Sequence, residues 1–353
     1  RDFARLPKAV RDSPTRYADA SAALEKARAK HRETGDPNDL YPSILELADM
    51  FYQDKRYGEA EPLLREGRAI HVKAGTRGRK SAFVSYCLAY SLMQKSANDK
   101  RNGPKMLKEA AEVFQEAAGR FESQGPYQVA ALNHRGEALA RLAKWSEAAD
   151  ALRLPWLAGS INSQRDLQLA MLRARIGDSA GHAEIVQLMT QRYKNPKHWS
   201  NASQTLRAGS VIPSTEIDPA TLLHFSKLML DRVPRKKTPP PLMRLLQGAA
   251  EYRAGDLGAA AKSAELALAI KYDDKPSKAS AAALLGIIRA QQGKLDEARS
   301  HADAARQEIK RRGFEKKGRV MSGNWPSYLY ASMLLKEADA EIAKAVKRQN
   351  AAN

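Results

Sequence analysis

The stretch that decides the fold is LLGIIRAQQGKLDEARSHADAA, residues 284–305. Apolar and small side chains recur every three or four positions on both sides of Gly293, the spacing of one helix face. Gly293 predicts a tight turn, because glycine adopts without strain the positive φ that ends a helix. Gly286 and Ala298 are small enough for two helices to cross at about 8–10 Å. The stretch therefore predicts two closely packed helices joined by a short turn.

The same pattern recurs along the chain. Clear copies occupy residues 45–69, 132–152 and 246–268, and more degenerate ones lie within 84–114 and 167–189. One helix pair cannot bury its own apolar face, so neighbouring copies must stack to form a continuous core. The abundance of alanine and the low aromatic content of 7% fit helices that pack through small side chains.

This pattern resembles the tetratricopeptide repeat, a helix–turn–helix unit of about 34 residues. The copies at 284–305 and 45–69 match best, and the segment Glu59-Ala60-Glu61-Pro62-Leu63-Leu64-Arg65 is similar to the kinesin-light-chain form of the repeat. The resemblance implies an all-α solenoid, a right-handed superhelix in which the first helix of each pair lines a concave groove.

Insertions interrupt the predicted array. Polar, turn-rich or proline-rich segments lie at 95–105, 192–221 and 234–241. We therefore predict a helical array over residues 1–190, a less regular helical connector over 191–240, and a second array with a capping helix over 241–353. A continuous superhelix is the alternative.

A second resemblance concerns residues 186–342. The repeat at 248–257 and the segment Trp325 to Ile342 are similar to the C-terminal repeat region of large bacterial proteins. In those proteins such tails follow serine/threonine kinase domains or accompany WD40 modules. The resemblance implies that this chain is, or derives from, the non-catalytic repeat portion of such a protein.

The sequence offers no catalytic or metal-binding motif. Cys87 is the only cysteine, which excludes a disulfide scaffold and a cysteine-rich metal site. The seven histidines lack metal-ligand spacing, and the glycines of 75–81 lack the spacing of a nucleotide loop. We expect no enzyme activity and no cofactor. No apolar run approaches the roughly 20 residues of a membrane span and no secretory signal is visible, so the cytoplasm is the expected compartment.

The chain is strongly basic, with 59 Lys and Arg against 40 Asp and Glu and a net charge of +19. Such an excess serves solubility and helix dipoles, or it attracts an acidic protein segment, a nucleic acid or another anionic surface. The candidate basic patches comprise Arg77, Arg79, Lys80, Arg235, Lys236, Lys237, Lys310, Arg311, Arg312, Lys316, Lys317 and Arg319.

Together these features predict a non-catalytic scaffold that binds an acidic or extended protein segment in a concave groove. The candidate contact residues are Tyr52, Tyr86, Tyr90, Asn133, Arg135, Tyr252 and Arg289, and each could instead belong to the repeat core or to plain surface. Leu45 and Asp49 stand where some repeats carry a carboxylate-binding clamp, so capture of a partner's C-terminus is disfavoured. The alternatives are a basic helical nucleic-acid-binding protein and the interaction region of a larger bacterial kinase.

Overall fold

The computed structural model describes residues 15–75, 78–99, 101–121, 125–159, 162–196, 198–213, 217–232, 239–271, 274–312, 321 and 324–352. This part of the chain forms sixteen helices and no strand, which confirms the all-α prediction. The chain divides into two compact units, Arg1–Leu142 and Ala143–Asn353. They are called the N-terminal and C-terminal units below.

In the N-terminal unit each helix packs against the next along the chain. The helices are α1 (Arg16–Thr34), α2 (Pro37–Gln53), α3 (Tyr57–Lys73), α4 (Arg79–Ser96), α5 (Gly103–Arg120) and α6 (Pro126–Arg141). The copy predicted at 45–69 is the pair α2–α3, and the degenerate copy at 84–114 is the pair α4–α5. The helix–turn–helix prediction is therefore confirmed for both.

The C-terminal unit continues with further pairs and a final long helix. Its helices are α7 (Trp145–Leu157), α8 (Ser163–Arg175), α9 (Ser179–Arg192), α10 (Trp199–Ser210), α11 (Pro219–Leu230), α12 (Pro241–Arg253), α13 (Leu257–Ala269), α14 (Lys275–Gln291), α15 (Leu295–Arg312) and α16 (Trp325–Ala352). The predicted connector 191–240 contains α10 and α11, which pack on each other and on α12. The expected boundaries near 190 and 240 stay predictions.

The turns within several pairs contain a residue with positive φ. Between α12 and α13, Gly255 has φ +85°. The Asp256 carboxylate then accepts a hydrogen bond from the Ala259 N–H at 2.9 Å, which satisfies a free donor at the start of α13. Between α2 and α3 the positive φ of 59° belongs to Lys55, and the following Arg56 makes no side-chain capping hydrogen bond.

Small residues set the distance between paired helices, as the sequence predicts. A Cβ on Gly248 of α12 would stand 3.0 Å from the carbonyl oxygen of Ala260 and 3.3 Å from the N–H nitrogen of Ala264, both on α13. Ala260 and Ala264 are themselves fully buried. The alanine excess is thus explained by close helix crossings.

The final helix α16 lies against the first helices of several pairs. It packs on α8 and α14. The hydroxyl of its Tyr330 is 2.9 Å from the Ser210 hydroxyl at the end of α10. Its Glu337 accepts hydrogen bonds from Arg253 of α12. Almost every residue from 325 to 335 is buried, so the first half of α16 is enclosed by the unit rather than merely capping it.

Candidate functional site

Half-exposed aromatic side chains form a continuous row across three helices of the N-terminal unit. The ring centres of Tyr52 on α2 and Tyr90 on α4 are 5.3 Å apart. His134 on α6 lies 5.1 Å from Tyr90 and 5.8 Å from Tyr86. With Phe83, whose ring is 6.3 Å from that of Tyr86, these residues are called the aromatic face.

The aromatic face follows from the helical spacing of α4. Phe83, Tyr86 and Tyr90 are three and four residues apart and so share one stripe of the helix. The opposite stripe, including Val84 and Leu88, is fully buried in the core. Tyr86 also rests on the buried ring of Phe114 at 5.7 Å, so its base is fixed while part of the ring stays accessible.

A small crevice opens beside the aromatic face, between α2 and α4. Its volume of about 20 Å³ is close to that of a single water molecule. The residues that line it are Leu45, Ala48, Asp49, Tyr52, Leu64, Phe83 and Cys87. Among these lining residues Asp49 is the only one with a charged side chain.

The pKa values of two groups around this crevice, the Asp49 carboxyl and the Cys87 thiol, are raised. Asp49 is an exposed residue, and partial desolvation by its neighbours raises the pKa of its carboxyl, although its hydrogen bond from the Gln53 amide at 2.6 Å opposes the shift. Burial, with a smaller contribution from Asp49, raises the pKa of the Cys87 thiol. Cys87 therefore stays protonated at neutral pH and is a poor nucleophile.

The structure brings together three of the predicted contact residues, Tyr52, Tyr86 and Tyr90. Asn133 and Arg135 are half-exposed on α6, on either side of His134. Phe83 and Asp49 were not predicted as contacts. The spacing of Phe83 from Tyr86 and Tyr90 is a usable signal, whereas the sequence marks Asp49 only as a position at which the carboxylate-binding clamp of some repeats is missing.

The other two predicted contact residues lie in the C-terminal unit and are engaged by its own helices. The Tyr252 hydroxyl donates to the Glu337 carboxylate of α16 at 2.9 Å. Arg289 pairs with Glu265 of α13 at 2.5 Å and with Glu297 of α15 at 3.0 Å. This arrangement favours a packing role for Arg289 over the predicted contact role.

A larger pocket of about 500 Å³ lies in the C-terminal unit. Its lining combines apolar side chains with the polar side chains of Tyr252, Arg253, Gln291, Glu337, Glu341 and Lys344. The Arg253 guanidinium donates to Glu337 at 2.6 and 2.7 Å and to the Ser210 carbonyl oxygen at 2.9 Å. Burial alone would lower the pKa of Arg253, but the Glu337 carboxylate reverses the shift and raises it. These polar groups already satisfy one another.

Solved structures identify the fold. The chain is similar to a tetratricopeptide repeat protein from Parabacteroides merdae, with a TM-score of 0.52 and 12% identity. The match covers 85% of this chain and 98% of that one. The chain has the tetratricopeptide-repeat fold.

Two other structures are similar at lower TM-scores. A repeat protein from Thermus thermophilus is 19% identical, with a TM-score of 0.37 and coverage of 59% of this chain and 99% of that one. The C-terminal part of a repeat-containing protein from Cytophaga hutchinsonii is 15% identical, with a TM-score of 0.36 and coverage of 65% and 81%. The second resemblance, to the repeat tails of kinase or WD40 proteins, stays a prediction.

No protein-family model matches the sequence, and no curated protein matches it significantly.

The predicted basic patches are only partly within the described residues. Arg79 and Lys80 are exposed at the start of α4, and the Arg79 guanidinium lies 5.0 Å from the ring centre of Tyr127. Lys310 and Arg311 are exposed near the end of α15, where Arg311 pairs with Glu308 at 2.8 Å. Outside the described positions lie Arg77, Arg235, Lys236, Lys237, Lys316, Lys317, Arg319 and the side chain of Arg312.

Over the residues that the structure describes, no group of three or more His, Cys, Asp or Glu is placed to hold a metal ion. Within the same residues, none of the helices combines the length and the apolar character needed to cross a membrane.

Proposed function

We propose that this protein is a non-catalytic scaffold that binds an extended segment of a partner protein on the aromatic face of its N-terminal unit. The observation that carries the proposal is the contact row formed by Tyr52, Tyr86, Tyr90 and His134. Tyrosine is enriched at protein interfaces because it offers a large amphipathic contact area at a low cost in side-chain entropy. Half-exposed rings fixed at their bases provide that area in advance.

The chemistry of the neighbouring groups supports binding rather than catalysis. The Cys87 thiol beside the aromatic face has a raised pKa, whereas a cysteine nucleophile needs a lowered one. The buried His182 in the C-terminal unit has its pKa lowered by burial and is bonded to the Ala208 carbonyl group. It is thus held in the core, away from any reacting group.

The exposed cations Arg79 and Lys80 begin the same helix α4 that carries the aromatic face. They are the groups that an acidic partner segment would meet, and this acidic preference remains a prediction from the net charge. A nucleic-acid partner is the competing proposal, and an origin in a larger kinase concerns the parent polypeptide rather than this chain.

The test is selection of binding peptides from a random displayed library on the full chain. Enriched peptides would be labelled and titrated by fluorescence anisotropy in about 150 mM salt. We expect Tyr86→Ser and Tyr90→Ser each to weaken binding by about tenfold, in line with the loss of an interface aromatic anchor. Circular dichroism would confirm that both variants remain helical.

The matched control is Leu154→Ser. It removes a side chain of α7 that is 60% exposed and does not belong to the aromatic face. We expect it to bind the peptides as the original chain does. Equal loss in the control, or no peptide sensitive to the tyrosine variants, would contradict the proposed function.

The nucleic-acid alternative is tested with generic duplex DNA and single-stranded RNA between 50 and 200 mM salt. We expect only weak binding at the higher salt. Tight binding that falls by about a thousandfold over this range would instead indicate extensive phosphate contacts and favour the alternative.

A further inference from the structure

The crevice between α2 and α4 combines one carboxylate with aromatic rings. We infer that it receives the ammonium group of a lysine from the partner segment, with Asp49 as the counter-ion. This inference rests on the proposed function, because the lysine would belong to the segment lying on the aromatic face. It adds the chemical identity of one partner residue.

Asp49 has unused capacity to accept hydrogen bonds. An ionised carboxylate offers about four acceptor positions. Within the described residues Asp49 receives one hydrogen bond, from the Gln53 amide, and takes part in no ion pair. Its position on the crevice wall therefore leaves acceptors available to a donor that enters from the groove.

The rings supply the second element of a cation site. Tyr52 and Phe83 line the same crevice as Asp49, one on each helix. The faces of aromatic rings attract ammonium and guanidinium groups. An ammonium ion on this wall would thus meet a carboxylate and two ring systems, and the aliphatic stem of a lysine would lie over apolar atoms of the groove.

The size of the crevice selects between the two basic side chains. A volume of about 20 Å³ accommodates a group the size of one water molecule. The lysine ammonium is a compact group of that size, whereas the arginine guanidinium is a broad planar fork. The geometry therefore favours lysine.

Charge complementarity points the same way. Asp49 is the only charged residue lining the crevice; it is exposed, takes part in no ion pair within the described part of the chain, and its pKa is raised by partial desolvation. A bound ammonium would favour the ionised carboxylate and offset that loss of solvent. An acidic side chain in the same place would instead meet Asp49 with like charge.

The experiment uses the peptides selected on the full chain and pairs each change in the protein with one in the peptide. Asp49→Asn keeps the shape and removes the charge. Glu46→Gln is the matched control, since Glu46 is exposed on the same helix one turn away and does not line the crevice. In the peptide, the lysine is replaced by norleucine or by arginine.

We expect the enriched peptides to share a lysine. Its replacement by norleucine and the Asp49→Asn change should each weaken binding by about tenfold. Combining the two changes should weaken binding little more than either change alone, because both remove the same contact. Arginine should replace lysine poorly, and Glu46→Gln should leave binding unchanged. In a charge exchange, Asp49→Lys should recover binding of a peptide that carries glutamate in place of the lysine.

Three results would overturn the inference. If the peptides depend on Tyr86 and Tyr90 but show no preference for lysine and ignore Asp49→Asn, the lysine site is wrong while the scaffold function stands. If arginine binds as well as lysine, the selection by size is wrong. If no peptide depends on the tyrosines or on Asp49, both the inference and the proposed function fail.

Discussion

At the scale of single residues, the turns of the repeat show where the chain carries strain. Gly255 and Gly293 hold the positive φ of the turn in two pairs, whereas Lys55 and Ala143 hold it without being glycine, each with φ 59°. A residue with a side chain loses about 1–2 kcal/mol in this conformation. The turn is therefore present at these two positions even though glycine, the residue best suited to positive φ, is absent.

We predict that Lys55→Gly raises the free energy of unfolding by about 0.5–1 kcal/mol. Relief of the left-handed strain exceeds the roughly 0.4–1 kcal/mol lost to the greater freedom of glycine in the unfolded chain. Urea unfolding followed by circular dichroism measures the change. The converse change, Gly255→Ala, should lower stability, and a less stable Lys55→Gly variant would contradict the account.

The ionisation of Asp49 gives a prediction with a definite sign. Asp49 is an exposed residue, but partial desolvation raises the pKa of its carboxyl in the folded chain, so the ionised form slightly opposes folding at neutral pH, and this small cost disappears as pH falls through the raised pKa. Asp49→Asn should therefore be more stable than the original chain at pH 7 and nearly equal to it near pH 3. Thermal unfolding at both pH values tests this, with Glu46→Gln as control. An Asp49→Asn variant that is less stable than the original chain at pH 7 would show that the ionised carboxylate stabilises the fold, contrary to the prediction.

The sequence predicts the surroundings of a site residue only where its neighbours lie on the same helix. Tyr86 and Tyr90 share a stripe with Phe83 because of helical spacing alone, and the sequence shows that spacing. Tyr252 and Arg289 carry the same kind of signal, yet their partners include Glu337 and Glu265, which come from other helices. The sequence pattern does not show which distant carboxylate will reach a given side chain.

At the scale of helices, the repeat pattern predicts the pairs but not what the last helix does. The copies at 45–69, 246–268 and 284–305 became helix pairs with their turns in the expected places. The enclosure of the first half of α16 by α8, α10 and α12 was not predicted. It depends on how successive pairs stack, which no single copy encodes.

Helix crossing is tested by adding one methyl group. Gly248→Ala would place a Cβ against backbone atoms of α13, and we predict a loss of about 1–2 kcal/mol despite the better helix propensity of alanine. Gly58→Ala on α3 is the control, because its Cβ would meet nothing within 4 Å. Chemical denaturation of both variants gives the comparison, and equal effects would rule out the close crossing as the cause.

The docking of α16 is tested through its buried ion pair. The side chains of Arg253 and Glu337 are 9% and 14% exposed. Glu337→Ala would leave the arginine buried without its partner, and we predict a loss of about 3–5 kcal/mol. Asp339→Ala on the same helix removes an exposed pair with Arg306 and should cost at most about 1 kcal/mol. Similar losses from both would show that the pair does not anchor α16.

At the scale of the whole molecule, the two units differ in what covers their first helices. In the C-terminal unit α16 lies on α8, α12 and α14, and its groups satisfy Tyr252 and Arg253. In the N-terminal unit the aromatic face on α2, α4 and α6 stays half-exposed. The net charge of +19 predicts an anionic partner for the chain, yet the crevice on this face presents a carboxylate. Composition therefore does not settle the chemistry of the site.

Binding on the aromatic face is tested most directly by locating a bound peptide on the full chain. A selected peptide carrying a benzophenone side chain would be photo-crosslinked, and the adducts mapped by mass spectrometry. We expect adducts on α2, α4 and α6 that are lost when excess unlabelled peptide competes. Competable adducts confined to the C-terminal unit, or to the basic segments around 233–238 and 313–320, would contradict binding on the aromatic face.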